Sequence, residues 1–122
     1  MTFLAGLENI IRTLYFALIK RKHPKSVNGK TLNCPSFEII VAAIKSILID
    51  GSRTGSSALE IANFIILKLL QKNFFVYENP QMALQIGYVY LKRQGVTIKH
   101  YSVDAITNNS TLEEIRALTA TW

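Results

Sequence analysis

The sequence is poor in the residues on which small extracellular or metal-stabilised domains depend. A single cysteine, Cys34, excludes an intrachain disulfide, and neither it nor the two histidines have zinc-ligand spacing. Charged residues are only 18% of the 122, while hydrophobic residues are 49%, which excludes an intrinsically disordered chain. We therefore expect one domain, large enough to bury its own core without a metal or a disulfide.

Long uninterrupted hydrophobic runs are also missing. The apolar start of the chain carries Glu8 and Arg12, whereas a signal peptide places its positive charge before an unbroken apolar stretch. The most apolar later run, residues 61–70, is interrupted by Asn63 and Lys68 and is too short to span a bilayer. The sequence thus predicts a cytoplasmic protein with no membrane segment.

The apolar residues recur at three- and four-residue steps, which predicts an all-α bundle of about five helices. The predicted helices cover residues 3–20, 37–49, a segment capped by Ser57 that ends near Lys72 and Asn73, residues 80–94, and residues 111–120. The third helix is apolar on most faces, which is typical of a helix at the centre of a bundle. Residues 96–103 contain several β-branched side chains and are the one short extended segment that the sequence suggests.

Helix-terminating and helix-capping residues set these boundaries. Asp50 and Gly51 are expected to end the second helix, and Ser57 with Glu60 forms a capping box before the third. Asn79 is the expected N-cap of the fourth helix, with proline at its first position. A second capping box, Ser110 with Glu113, is expected to open the last helix.

A basic segment follows the first helix and accounts for much of the net charge of +6. It consists of Lys20, Arg21, Lys22, Lys25 and Lys30. Such a cluster is consistent with a phosphate-contacting patch, with a surface for an acidic protein partner, or with a solvated helix end and loop. No recognition-helix pattern accompanies it, so nucleic-acid binding remains only one of these interpretations. The amphipathic first helix also leaves a homodimer open.

Candidate catalytic side chains are few. His23 and His100 lie far apart in the sequence, and neither has a carboxylate or a cysteine at motif spacing. Cys34 lies between Asn33 and a proline and has no neighbouring base. Metal-ligand motifs and phosphate-binding glycine loops are absent from the sequence, so no metal site is predicted.

The stretch 73–96, NFFVYENPQMALQIGYVYLKRQGV, joins the apolar third helix to the fourth. It resembles the core of the Fic/Doc (filamentation / death-on-curing) family, in which a loop His-Pro-Phe-x-Asp-Gly-Asn-Lys-Arg precedes a helix. The positions that match are Phe75, Asn79, Ala83, Leu84, Leu91 and Gly95, with Tyr90 in place of a phenylalanine. The resemblance covers residues 57–118, including the STLEEI segment 110–115.

The resemblance implies a nucleotidyl or phosphoryl transfer from a nucleoside triphosphate, ATP with Mg²⁺, to a protein hydroxyl. In the family the histidine is the general base, and the Gly-Asn-Lys-Arg turn holds phosphates at a helix N-terminus. Here Asn73 stands at the histidine position and Tyr77 at the acidic position. The glycine and the two cations are replaced in turn by Glu78, Pro80 and Gln81.

The residues retained are therefore the structural ones. Phe75 is expected to anchor the loop, and Asn79, Gln81 and Glu78 are the remnant of the nucleotide-binding turn. We expect a degenerate Fic/Doc-like protein that acts by binding or regulation, in a toxin–antitoxin-like setting. Two alternatives stay open, namely a family enzyme whose base is supplied by His100 or His23, and a small basic nucleic-acid-binding bundle.

Overall fold

The computed structural model describes residues 3–22, 36–103 and 105–122, and within them the chain forms five α-helices and no β-strand. The helices are α1 (Leu7–Lys22), α2 (Phe37–Thr54), α3 (Ala58–Lys72), α4 (Asn79–Arg93) and α5 (Leu112–Thr119). The all-α prediction is confirmed. The expected extended segment 96–103 is irregular and pairs with no strand among the described residues.

Several predicted boundaries hold because local hydrogen bonds decide them. Ser57 caps α3 by accepting a hydrogen bond from the N–H of Glu60 at 3.2 Å. Asn73 ends α3 in the left-handed conformation, with φ of 49°. At the start of the chain, α1 begins at Leu7 and not at residue 3, because Gly6 has a φ of 74° and interrupts the helix.

Gly51 does not end α2, contrary to the sequence prediction. The helix continues to Thr54, and Gly55 with a φ of 69° supplies the left-handed end. Gly51 instead permits close packing of α2 on α3, because a Cβ at this position would lie 2.6 Å from Cγ1 of Ile61. A glycine required by a tertiary contact has the same local sequence signature as a glycine that stops a helix.

The capping box of α5 also lies one residue later than predicted. Thr111, not Ser110, accepts from the N–H of Glu114 at 3.2 Å, and the Glu114 carboxylate accepts from the N–H of Thr111 at 2.9 Å. Ser110 is buried and accepts from the N–H of Thr107 at 2.9 Å. Glu113 lies 2.6 Å from the Arg116 guanidinium.

The helix α3 is the centre of the fold. It packs against α2, α4 and α5, while α1 packs against α2 and α4. Phe3 contacts Tyr90 near the end of α4, and Tyr15 contacts Phe75 just before the start of α4, so α1 runs antiparallel to α4. The C-terminal end of α1, the N-terminal end of α4 and the α3–α4 connection therefore lie at the same end of the bundle.

A second glycine allows α4 to approach α3. A Cβ at Gly87 would lie 2.7 Å from both Cγ1 and Cδ1 of Ile66, which is fully buried. We expect Gly87→Ala to lower the free energy of unfolding by about 1–3 kcal/mol through overpacking. Denaturant unfolding of Gly87→Ala, Ile66→Val and the double variant measures these changes in the free energy of unfolding. Since the valine lacks Cδ1, the double variant should lose less stability than the sum of the singles, and strict additivity would contradict the packing explanation.

Candidate functional site

The connection between α3 and α4, for which a Fic/Doc resemblance was expected, is shaped by two left-handed residues. Asn73 has a φ of 49° and Glu78 a φ of 54°, so the chain turns sharply at both ends of residues 74–77. Neither residue is glycine, and left-handed backbone is uncommon for a glutamate. Tertiary contacts therefore hold this turn in place.

The Asn79 side chain is the main source of those contacts. It is buried, with 3% of its surface exposed. Its Oδ1 accepts from the N–H of Phe75 at 3.0 Å, and its Nδ2 donates to the carbonyl of Leu69 at 3.1 Å. Asn79 is thus not the N-cap of α4 as predicted. Glu78 holds that position without a side-chain capping bond, and Asn79 is the first helical residue.

A third asparagine connects this loop to the segment before α5. Asn108 Oδ1 accepts from Asn79 Nδ2 at 2.7 Å, and Asn108 Nδ2 donates to Asn73 Oδ1 at 3.3 Å. We call Asn73, Asn79 and Asn108 the asparagine bridge. Its members are 6 and 29 residues apart along the chain, so no motif spacing identifies Asn108, and sequence reasoning missed it.

Aromatic packing fixes the other side of the loop. Phe75 is 1% exposed, and its ring centroid lies 5.1 Å from that of Tyr15 on α1. The Tyr15 hydroxyl accepts a hydrogen bond from the N–H of Tyr77 at 3.3 Å. The loop is therefore bound to α1 by a ring contact and a hydrogen bond, and to residue 108 by the asparagine bridge.

The start of α4 has few of the features that hold a phosphate. Pro80 has no backbone N–H, and the Asn79 side-chain amide is already hydrogen-bonded to Phe75, Leu69 and Asn108. Glu78 adds a carboxylate at the N-cap, where an anion would otherwise be favoured. Gln81 is half-buried on the first turn of the helix. Within the described residues, no three His, Cys, Asp or Glu side chains come together as a metal site would require.

Of the two histidines that could supply a relocated general base, His100 is among the described residues. His100 is exposed and follows the C-terminal end of α4. The next residue, Tyr101, packs on Tyr88 with ring centroids 4.7 Å apart, and Tyr88 lies nine residues, roughly 13 Å, along α4 from Asn79. His100 is thus remote from the start of α4. His23 and Cys34 lie outside the described residues.

The basic segment is described only in part. Lys20, Arg21 and Lys22 form the exposed last turn of α1, where cations are favoured by the helix dipole. Lys25 and Lys30 lie outside the described residues. Because α1 runs past Tyr15, its basic end lies at the same end of the bundle as the α3–α4 loop.

A separate polar network joins α3 to α5. The Arg116 guanidinium donates to both carboxylate oxygens of Glu60 and to Glu113, and the hydrogen bond from Arg116 lowers the pKa of Glu60. Deeper in the interface, the Thr119 hydroxyl donates to Asn63 Oδ1 at 2.7 Å. The sequence contains one sign of this interface, which is Asn63 inside an apolar helix. Buried amides are almost always hydrogen-bonded, so a polar residue at this position indicates a polar partner on a neighbouring element.

A surface groove lies along α3, with α2 on one side and the start of α5 on the other. The cavity on the α2 side has a volume of about 500 Å³, and its lining is mainly apolar. It is lined by Ile47, Asp50, Gly51, Thr54, Ser56, Phe64, Leu67, Lys68 and Gln71. A shallower, more polar cavity on the other side shares Leu67 and Gln71 with it and reaches Asn108. Sequence reasoning did not anticipate this groove, and neither cavity is lined by residues 73–81.

No protein-family profile, curated protein or solved structure matches this chain. Among the described helices, none combines the length and the apolar composition needed to cross a lipid bilayer.

Proposed function

We propose that this protein is a degenerate Fic/Doc-like scaffold that acts by binding an acidic protein partner, in a regulatory or toxin–antitoxin-like setting. The observation that carries the proposal is the asparagine bridge. Asn73, at the position of the family's general base, and Asn79, the retained asparagine of the loop, are both engaged in hydrogen bonds that hold the fold together.

The chemistry of the remaining loop residues supports the same proposal. An asparagine amide has no basic pKa near neutrality, so Asn73 does not supply a general base. Glu78 repels phosphate, and Pro80 and Gln81 carry no positive charge in place of the two cations of the family loop. Loss of the base alone removes a factor on the order of a hundred to ten thousand in rate.

Two measurements test whether the loop has lost nucleotide binding and transfer. They are calorimetric titration with ATP and Mg²⁺, and a transfer assay using ATP labelled at the α- and γ-phosphates. We expect neither saturable binding at the start of α4 nor label on any protein. Transfer that survives in Asn73→Ala and disappears in His23→Ala would instead establish an enzyme with a relocated base.

The basic end of α1 is the surface we assign to the partner. Five cations occur within residues 20–30, and the three of them that the structure describes are exposed. A concentrated positive patch accelerates association with acidic proteins and adds to their affinity at low salt.

A charge-matched comparison tests this surface. The triple variant Lys20→Glu, Arg21→Glu, Lys22→Glu and the control Lys45→Glu, Arg53→Glu, Lys92→Glu change the net charge equally. We expect an acidic peptide of glutamate and alanine to bind the wild type and the control, and to bind the patch variant at least about tenfold more weakly. Equal weakening in both variants would show a non-specific charge effect and contradict the assignment.

Nucleic-acid binding is the second candidate, because the same cations can contact phosphates. It predicts an affinity for duplex or single-stranded probes that falls linearly with the logarithm of salt concentration. Tighter binding to an oligonucleotide than to an acidic peptide of equal charge would favour it over the protein partner.

A further inference from the structure

The groove along α3 is a mainly apolar surface that the proposed function leaves unused. Three sides of α3 are covered by α2, α4 and α5. On the remaining side Phe64 is 36% exposed, although Phe64 belongs to the most apolar helix of the chain. Exposed aromatic side chains in a concave apolar surface are typical of binding sites and not of solvated helix faces.

Two opposite charges face this groove, and neither has a partner among the described residues. Asp50 on α2 and Lys68 on α3 both line the cavity. The ion pairs and hydrogen bonds found among the described residues do not include either side chain. A groove intended for a strongly acidic or strongly basic ligand would carry charges of one sign, whereas this groove carries one of each.

The two charges lie at different positions along the groove. Gly51, next to Asp50, contacts Ile61, so Asp50 lies near the N-terminal part of α3. Lys68 is seven residues further along the same helix than Ile61, or about 10 Å. The centre between them is apolar, with Phe64 and Ile47 in the lining.

We propose that a second copy of this chain occupies the groove, in a symmetric dimer. A two-fold axis over Phe64, midway between the two charges, places Asp50 of each copy opposite Lys68 of the other. A surface with an acid on one side of an apolar centre and a base on the other side is complementary to itself, as the isologous interface of a two-fold dimer requires. Two grooves cannot fill each other, so a ridge must enter each of them.

The ridge is the row of α2 residues that forms one edge of the groove, in which Ile39 is exposed while Ala43 and Ile47 are half-buried. Ile39, Ala43 and Ile47 follow one another at four-residue steps and form a single row on this helix. Ile39 is 59% exposed, more than any other large hydrophobic side chain of the described residues. Packing of this row into the groove of the other copy covers Ile39 and Phe64 together. The dimer is independent of whether the α3–α4 loop transfers nucleotides.

Charge exchange tests the arrangement. We expect sedimentation equilibrium of the wild type, from micromolar to near-millimolar concentration, to show a monomer–dimer equilibrium. Asp50→Lys and Lys68→Asp should each weaken the dimer at least about tenfold, because each places like charges opposite each other. The double variant should recover most of the wild-type affinity. An equimolar mixture of the two single variants should form a heterodimer, since both of its charge contacts are again opposite in sign.

Controls separate the interface from the fold. Lys45→Asp changes the charge of α2 outside the groove and should leave the dimer unchanged, and circular dichroism should show all variants equally helical. Phe64→Ser should weaken the dimer without changing the monomer's helix content. A wild type that remains monomeric throughout, or single and double charge variants that weaken the dimer alike, would overturn the proposal. Such a result leaves the proposed function intact, whereas nucleotide transfer by a protein that still dimerises overturns only the function.

Discussion

Replacing Asn79 with alanine is expected to lower the free energy of unfolding by at least about 3 kcal/mol. The substitution removes three hydrogen bonds at once, to the N–H of Phe75, the carbonyl of Leu69 and the side chain of Asn108. The first two groups are buried, and each buried polar group left without a partner costs about 1–3 kcal/mol. Urea unfolding followed by circular dichroism measures the change.

The neighbouring Gln81→Ala is the matched control. Gln81 lies two residues further along the same helix, is half-buried and has no hydrogen bond among the described residues. Its replacement should change stability by no more than about 0.5 kcal/mol. Asn79→Asp keeps the oxygen that accepts from the N–H of Phe75. It also places a carboxylate oxygen against the carbonyl of Leu69 and Oδ1 of Asn108, to which Asn79 donates, so this variant should also be destabilised. If Asn79→Ala were as mild as Gln81→Ala, the loop would not depend on the asparagine bridge.

Replacing Tyr15 with alanine is expected to cost about 3–5 kcal/mol, the range found for large aromatic residues removed from a core. Tyr15 is fully buried and contacts the rings of Phe16, Phe37 and Phe75. It joins α1 to α2 and to the α3–α4 loop, so its loss leaves a cavity at the junction of three elements. Thermal and denaturant unfolding should both show the decrease.

Tyr15→Phe separates packing from hydrogen bonding at the same site. It keeps the ring contacts and removes the hydroxyl that accepts from the N–H of Tyr77, so it should cost only about 1 kcal/mol. Val76→Ala, at a loop residue that is 56% exposed, should be nearly neutral. A phenylalanine variant as unstable as the alanine variant would show that the hydroxyl, and not the ring, holds the loop on α1.

Sequence patterns predicted the parts of this fold that depend on neighbouring residues. The N-cap at Ser57 and the end of α3 at Asn73 were predicted correctly, because groups only a few residues apart decide them. The expected capping box is only half formed, since the Glu60 carboxylate accepts from Asn63 and Arg116. The central position of α3 was also evident, since its apolar residues cover most of its faces. The stretch 73–79 was recognised as a loop, but its conformation was not.

Where two interpretations share a local pattern, the sequence predicted the wrong one. Asn79 before a proline has the pattern of an N-cap, yet its side chain is buried and donates hydrogen bonds to the carbonyl of Leu69 and to Oδ1 of Asn108. In the same way, Ser110 and Thr111 both offer a hydroxyl for a capping box, and the burial of Ser110 leaves the cap to Thr111. The asparagine bridge was out of reach because Asn108 lies 29 residues from Asn79.

The sequence by itself determined that this protein is an all-α bundle, where most of its helices lie, and that the loop after α3 contains neither a histidine nor a cation. These properties follow from periodicity and residue chemistry, which act over a few residues. Only the tertiary structure decided that Gly51 brings α2 against α3, that Asn79 supports the loop, and that Asp50 and Lys68 share one apolar groove. Each depends on groups that folding brings together from different helices, and no spacing along the chain records such a contact.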